Sequence, residues 1–222
     1  MRHFVMVVTL AGALSGCLVD VNGDRVFTIA CLGDSNTAVG WDDRPSRWCE
    51  YLAGSLSKAI VRSHGLPALA TVKVTNFARA GTSLCGPAAR WGYSMTQLEE
   101  ARAVHPDLIL VAFGTNDTVF AITADQYAGC ARALDAAASP VPVLFALAPL
   151  MMPQPGLDWT KISRFNAALL AAFPPSRLLD FAEGFTASDL DGPVHVNDDA
   201  QRRRARIARE ALARLSSPFP LR

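Results

Sequence analysis

The chain has 222 residues, half of them hydrophobic and only 18% charged, with 21 basic residues against 20 acidic ones. That composition excludes a disordered polyelectrolyte and supplies ample apolar material for one core. A net charge of +1 with no basic tract or recognition module argues against nucleic acid as a partner.

The N-terminus is Met1-Arg2-His3 followed by an apolar segment over residues 4–14. It is too short to span a bilayer and has the form of a signal peptide, assigned to residues 1–16. Leu14-Ser15-Gly16-Cys17 closes it. This tetrad resembles the lipobox of bacterial lipoproteins, which implies lipidation of Cys17, a linker to residue 25 and a folded domain over residues 26–222. The resemblance to lipoprotein sorting favours the outer membrane over the inner one, because Leu18 follows the cysteine. A soluble periplasmic or secreted protein is the alternative.

Residues 26–32 form an unbroken apolar and β-branched run, the mark of a strand covered on both faces in a parallel sheet. Ligands of such sheets gather at the carboxyl ends of the strands. Gly33-Asp34-Ser35-Asn36 stands at that end. Gly33 is expected to make a tight turn there, with Asp34, Asn36 and Thr37 bonding local backbone and Ser35 pointing outward as a nucleophile.

Further strands are expected near residues 72–77, 108–113, 143–148 and 178–181. Helices are expected near 46–60, 94–104, 123–138, 160–173 and 198–215. This alternation predicts one parallel sheet between helix layers. In the last helix Ala205, Ala208, Leu212 and Leu215 recur on a packing face, while Arg202, Arg203, Arg204, Arg206 and Arg209 read as a solvated one. The Pro- and Met-rich stretch over residues 149–159 follows the fourth strand and is placed to wall a pocket.

Three more segments sit beside predicted elements: Asn76-Phe77-Ala78-Arg79-Ala80-Gly81-Thr82-Ser83, Gly114-Thr115-Asn116-Asp117 and Asp191-Gly192-Pro193-Val194-His195. A given tetrad arises by chance on the order of once in several hundred chains of this length. With these blocks in order, the chain resembles the SGNH hydrolases, the GDSL esterase and lipase family, with Asn36 where many members carry Leu. The resemblance implies an α/β fold, a three-layer α/β/α sandwich with a five-stranded parallel sheet in the flavodoxin-like order 2-1-3-4-5.

It also implies a serine esterase. Ser35 is the nucleophile and His195 the base, since a hydroxyl needs a neighbouring base and histidine titrates in the right range. The oxyanion hole is formed by the backbone N–H groups of Ser35 and Gly81 and the amide of Asn116. The family places its acid three residues before the histidine, whereas Asp191 lies four before, with Pro193 in the added space. Asp191 is the candidate to orient His195, a backbone carbonyl the alternative. His3, His64 and His105 are structural or incidental.

No cofactor is required, and no spacing resembles a zinc site. Export would place Cys31, Cys49, Cys85 and Cys130 in an oxidising compartment. Cys31, in a core strand, reads as a buried thiol, and Cys85 with Cys130 as a candidate bridge. The expected substrate is an ester of a short acyl group such as acetyl, on a carbohydrate or small alcohol. Acyl transfer, lysophospholipase or thioesterase activity, and non-catalytic binding of a surface polysaccharide remain open, as does the oligomeric state.

Overall fold

The computed structural model describes residues 26–63, 71–86, 94–153 and 158–215. Signal segment 1–16, Cys17, linker 18–25, His3, His64 and residues 154–157 of the Pro-rich loop lie outside them.

Five strands form one parallel sheet: β1 (Val26–Gly33), β2 (Thr71–Asn76), β3 (Leu108–Ala112), β4 (Val143–Leu147) and β5 (Leu178–Asp180), in the order β2-β1-β3-β4-β5. Between and after them run α1 (Trp48–Ser63), α2 (Ser94–Arg102), α3 (Ala124–Ala138), α4 (Thr160–Ala172) and α5 (Asp198–Leu215). Strands and helices therefore fall where the apolar runs and helical spacing put them, within about three residues at each end.

The two faces of the sheet separate by parity, because successive strand side chains point to opposite sides. Ala30, Leu32, Ile109, Val111, Val143, Phe145 and Leu147 pack with Leu98 of α2, Ala131 and Leu134 of α3, and Phe165 and Leu169 of α4. Phe27, Ile29, Cys31, Leu108, Leu110, Leu144 and Ala146 pack with Trp48 and Leu52 of α1 and Ala205, Ala208 and Leu212 of α5. This is the three-layer sandwich. Capping supports it locally: Thr123 accepts from Gln126 N and Gln126 Oε1 accepts from Thr123 N at the start of α3.

Two expectations are corrected. Cys31 is fully buried but is not a free thiol, because it is bonded to Cys49 at the start of α1 and so ties the central strand to its covering helix. Arg204 does not belong to a solvated face. It stands four residues before Ala208 on the packed stripe, is buried at 3% exposure, and lies over the Phe181 ring. Of the other basic residues of α5, Arg202 pairs with Asp198, Arg206 pairs with Glu210 and Arg209 is exposed, as read, while Arg203 is half-buried and pairs with buried Asp189 at 2.7 Å. Among the described residues no helix is long and apolar enough to cross a membrane.

Candidate active site

The loops that follow β1, β2 and β3 meet at the carboxyl edge of the sheet. Gly33 does not make the turn; it keeps strand backbone, and its role is close approach. A Cβ there would come within 2.5 Å of Thr37 Oγ1 and 2.7 Å of the Ala112 carbonyl. Gln97 of α2 seals the position, accepting from Gly33 N at 2.8 Å and donating to its carbonyl at 3.0 Å. The turn itself comes one residue later. The Asp34 carbonyl accepts from Thr37 N and Ala38 N, each at 2.9 Å, and the Asp34 carboxylate accepts from Asn36 N at 2.9 Å.

That turn presents Ser35 to His195, whose Nε2 lies 3.2 Å from Ser35 Oγ across 160 residues of sequence. The pair is within hydrogen-bond reach of a nucleophile and its base. His195 is half-buried, and burial pushes its pKa below the ordinary value near 6.5; Arg47 and Arg44 push the same way, opposed by Asp42 and Asp191.

The loop bearing His195 is fixed by backbone. Asp191 N donates to the His195 carbonyl at 2.7 Å, and Leu190 bridges Val196. Asn36 grips it on both sides of the histidine. Its Nδ2 donates to the Val194 carbonyl at 3.0 Å, and its Oδ1 accepts from Val196 N at 2.9 Å. Sequence reasoning treated Asn36 as a turn residue; the signal available was a polar amide where many relatives carry Leu.

Asp191 is not brought to the imidazole. Its carboxylate pairs with Arg44, which also donates to the Val196 carbonyl at 2.7 Å, and its side chain is 64% exposed. Among the described residues, the one hydrogen bond of the imidazole is that to Ser35. Against the ring lies Trp41, with centroids 4.5 Å apart and planes tilted by 44°. No pattern in the sequence pointed to Trp41 or Arg44 beyond nearness to Ser35.

The expected oxyanion residues converge from the other two loops. Gly81 has φ +77°, a conformation that favours glycine. Asn116, on the short turn Asn116–Val119 after β3, donates one amide proton to the Thr82 carbonyl at 2.7 Å. Thr82 Oγ1 donates to the Gly33 carbonyl at 2.9 Å, so the blocks around Ser35, Gly81 and Asn116 are joined by direct hydrogen bonds. Buried Asp117 adds to this by accepting from Leu84 N at 3.0 Å and Cys85 N at 2.8 Å, and the Cys85–Cys130 bridge fastens the same segment to α3. The N–H groups of Ser35 and Gly81 take no part in the turn hydrogen bonds described above.

Three buried ionisable groups, Asp34, Asp117 and Arg204, feel one another's charge around this turn. Burial pushes the Asp34 and Asp117 carboxyls up to about 6, and Asp34 adds to the rise at Asp117. Burial also lowers Arg204 to about 10, with Asp34 opposing that fall. His105 occupies the turn before β3 at φ +47°. Among the described residues no cluster of three or more His, Cys, Asp or Glu side chains could hold a metal ion.

The arrangement matches known folds. A carbohydrate acetylesterase from Sinorhizobium meliloti superposes with a TM-score of 0.66 at 18% identity, covering 85% of this chain and 99% of that one. An aryl esterase from M. smegmatis gives 0.63 at 20% identity, over 84% and 97%. An acetylxylan esterase from Geobacillus stearothermophilus gives 0.58 at 16%, over 86% and 94%. At these identities the likeness speaks for the fold. Among curated proteins none matches the sequence. The family model described as GDSL-like Lipase/Acylhydrolase matches residues 31–203, from the core of β1 to the first turns of α5, and the chain therefore belongs to that family and is a carboxylic ester hydrolase.

Proposed function

We propose that this protein is a serine esterase that removes short acyl groups, acetyl foremost, from a carbohydrate or small alcohol. The observation that carries the reading is the Ser35 Oγ to His195 Nε2 approach of 3.2 Å at the carboxyl end of β1. In acylation His195 Nε2 takes the Ser35 proton as Oγ bonds to the ester carbonyl carbon, and the carbonyl π pair moves onto oxygen. The oxyanion is held by the N–H groups of Ser35 and Gly81 and the second amide proton of Asn116. Collapse breaks the bond to the alcohol oxygen, which leaves with the proton from His195. Water then repeats the sequence on the acyl-enzyme, freeing the acid and restoring Ser35.

The acyl preference is supported by the resemblance of Gly33-Asp34-Ser35-Asn36-Thr37 to the first block of short-chain arylesterase-like family members and by fold relatives described as acetylesterase, acetylxylan esterase and aryl esterase. The loops after β1, β3 and β4, at the carboxyl end of the sheet, carry exposed apolar side chains: Val39, Trp41, Val119, Leu150, Met152 and Trp159. Met152 N donates to the Pro193 carbonyl, which sets the Pro- and Met-rich loop directly against the histidine loop. Indole faces suit the CH faces of sugars and aryl rings alike. The same side chains favour a second reading, acyl transfer, in which an organic alcohol replaces water in the second step.

Export and lipid anchoring at Cys17 are part of this proposal, and the two disulfides support an oxidising compartment. Val26 begins β1 at the end of the strand opposite Ser35. The test is hydrolysis of a chain-length series of p-nitrophenyl esters, with Ser35→Ala as the control and added alcohol as a competing acceptor. Serine-dependent turnover that is fastest on acetate or butyrate supports the reading. A long-chain optimum moves the assignment to lipid or thioester substrates, and no serine-dependent turnover in folded protein refutes catalysis at this site.

A further inference from the structure

The imidazole of a serine triad is ordinarily aimed by a carboxylate at Nδ1, and here the expected carboxylate is elsewhere. Asp191 is paired with Arg44 and largely exposed. The hydrogen bond between Asp191 N and the His195 carbonyl closes the loop so that the one extra residue is taken up in the backbone and the carboxylate turns to solvent. Asn36 secures the backbone on either side of His195 but leaves the torsions of its side chain free. Something else must hold the ring.

Trp41 is built for it. The indole ring lies 4.5 Å from the imidazole, centroid to centroid, and its Nε1 donates to the Ser35 carbonyl at 2.9 Å. One side chain thus touches the nucleophile's backbone and the base's ring. The indole is itself supported by the Arg47 guanidinium, 5.3 Å from the ring centroid. Arg47 is 1% exposed and is held by the Ala38 carbonyl at 3.1 Å and Asp42 at 2.6 Å. The Trp41 face is therefore a fixed surface with a side exposed to solvent, against which an imidazole can settle.

We propose that Trp41 positions His195 toward Ser35 and stabilises it when protonated, the work an acid does in a triad. This rests on the assignment of Ser35 and His195 as nucleophile and base. An aromatic face attracts a cation at this range, so the contact strengthens as His195 takes the serine proton and weakens when it gives the proton up. Asp191 then serves the loop through Arg44 rather than the ring.

The test compares Trp41→Ala, Trp41→Phe and Asp191→Asn on acetate and butyrate esters, with thermal unfolding to establish that each is folded. The rate of Ser35 sulfonylation by phenylmethylsulfonyl fluoride is read in parallel, because it reports the serine–histidine pair without an ester. Trp41→Ala is expected to lower kcat and the sulfonylation rate about 30-fold, equally for both esters, with KM within about threefold. Trp41→Phe, which keeps a ring but no N–H, is expected to recover all but about fivefold. Asp191→Asn is expected to lose less than about tenfold, against the ~10⁴-fold cost of the same change in a true triad. A loss above about 1000-fold in folded Asp191→Asn overturns the proposal. So does a Trp41→Ala effect confined to KM or to one ester, which makes Trp41 a substrate subsite. Should Trp41→Ala fail to fold, Trp41→Phe and Asp191→Asn decide, and a Phe variant as weak as a histidine-free enzyme counts against it. Wild-type protein that shows neither serine-dependent turnover nor sulfonylation removes the Ser35–His195 assignment itself, and this inference with it.

Discussion

Replacing Asn36 by leucine, the residue that many relatives carry there, tests whether the grip on the histidine loop is structural, catalytic or both. The Asn36 side chain makes three hydrogen bonds, to the Val194 carbonyl, Val196 N and, at 3.3 Å, Thr115 Oγ1. Leucine removes all three and leaves Val196 N, on a fully buried residue, without its acceptor. At about 1 kcal/mol net for each bond, the loss is about 3 kcal/mol, and an unpaired buried N–H adds to it. For a chain of this size that corresponds to a fall in Tm of roughly 6–12 °C. Because Val194 and Val196 flank His195, kcat should fall at least tenfold even at temperatures where the variant is fully folded. Differential scanning fluorimetry and p-nitrophenyl acetate turnover on the same sample measure both. A variant with Tm within about 2 °C of wild type and unchanged kcat would refute the claim that this amide locates the base.

The acid limb of kcat/KM should lie below the ordinary histidine value, because burial first and Arg47 and Arg44 next disfavour the protonated imidazole, and the base is active when neutral. Activity then persists as pH falls toward and past 6.5, and a limb displaced above 6.5 in a pH–rate profile would mean that a carboxylate governs His195 after all. Asn116→Ala removes one oxyanion donor and should lower kcat by about 10²–10³ with little change in KM, measured by steady-state kinetics. Replacing Cys85 and Cys130 by alanine opens a bridge spanning 45 residues and should cost about 4 kcal/mol by the loop-entropy relation. Denaturant unfolding would show it, and a loss under 1 kcal/mol would mean that the hydrogen bonds of Asp117 to Leu84 and Cys85 already hold that segment.

The sheet was legible in the sequence because its causes are local. Runs such as residues 108–112 are apolar on both faces, and helical stretches intervene at lengths that parallel crossovers require. The candidate catalytic blocks were legible for a related reason: three follow a strand end by a few residues and the fourth stands just before the last helix, so an element and a motif together place each of them. Ser35, Gly81 and Asn116 reach one edge of one sheet as soon as the strand order is known, whereas His195 is brought there by the long loop between β5 and α5.

What the tertiary structure alone decided is which of those groups touch. Asp191 and His195 are four residues apart, yet the backbone bond that closes their loop and the arrival of Arg44, 147 residues away in sequence, turn the carboxylate from the ring. Arg204 looks like its solvated neighbours on a helical wheel drawn from charge, but its position on the Ala205 and Ala208 stripe buries it above Phe181. Cys31 has the surroundings of a core thiol, and only the packing of α1 onto β1 brings Cys49 to it. Strand, helix and motif follow from residue type over a few positions, whereas partnership depends on loop closure and side-chain packing across the whole chain.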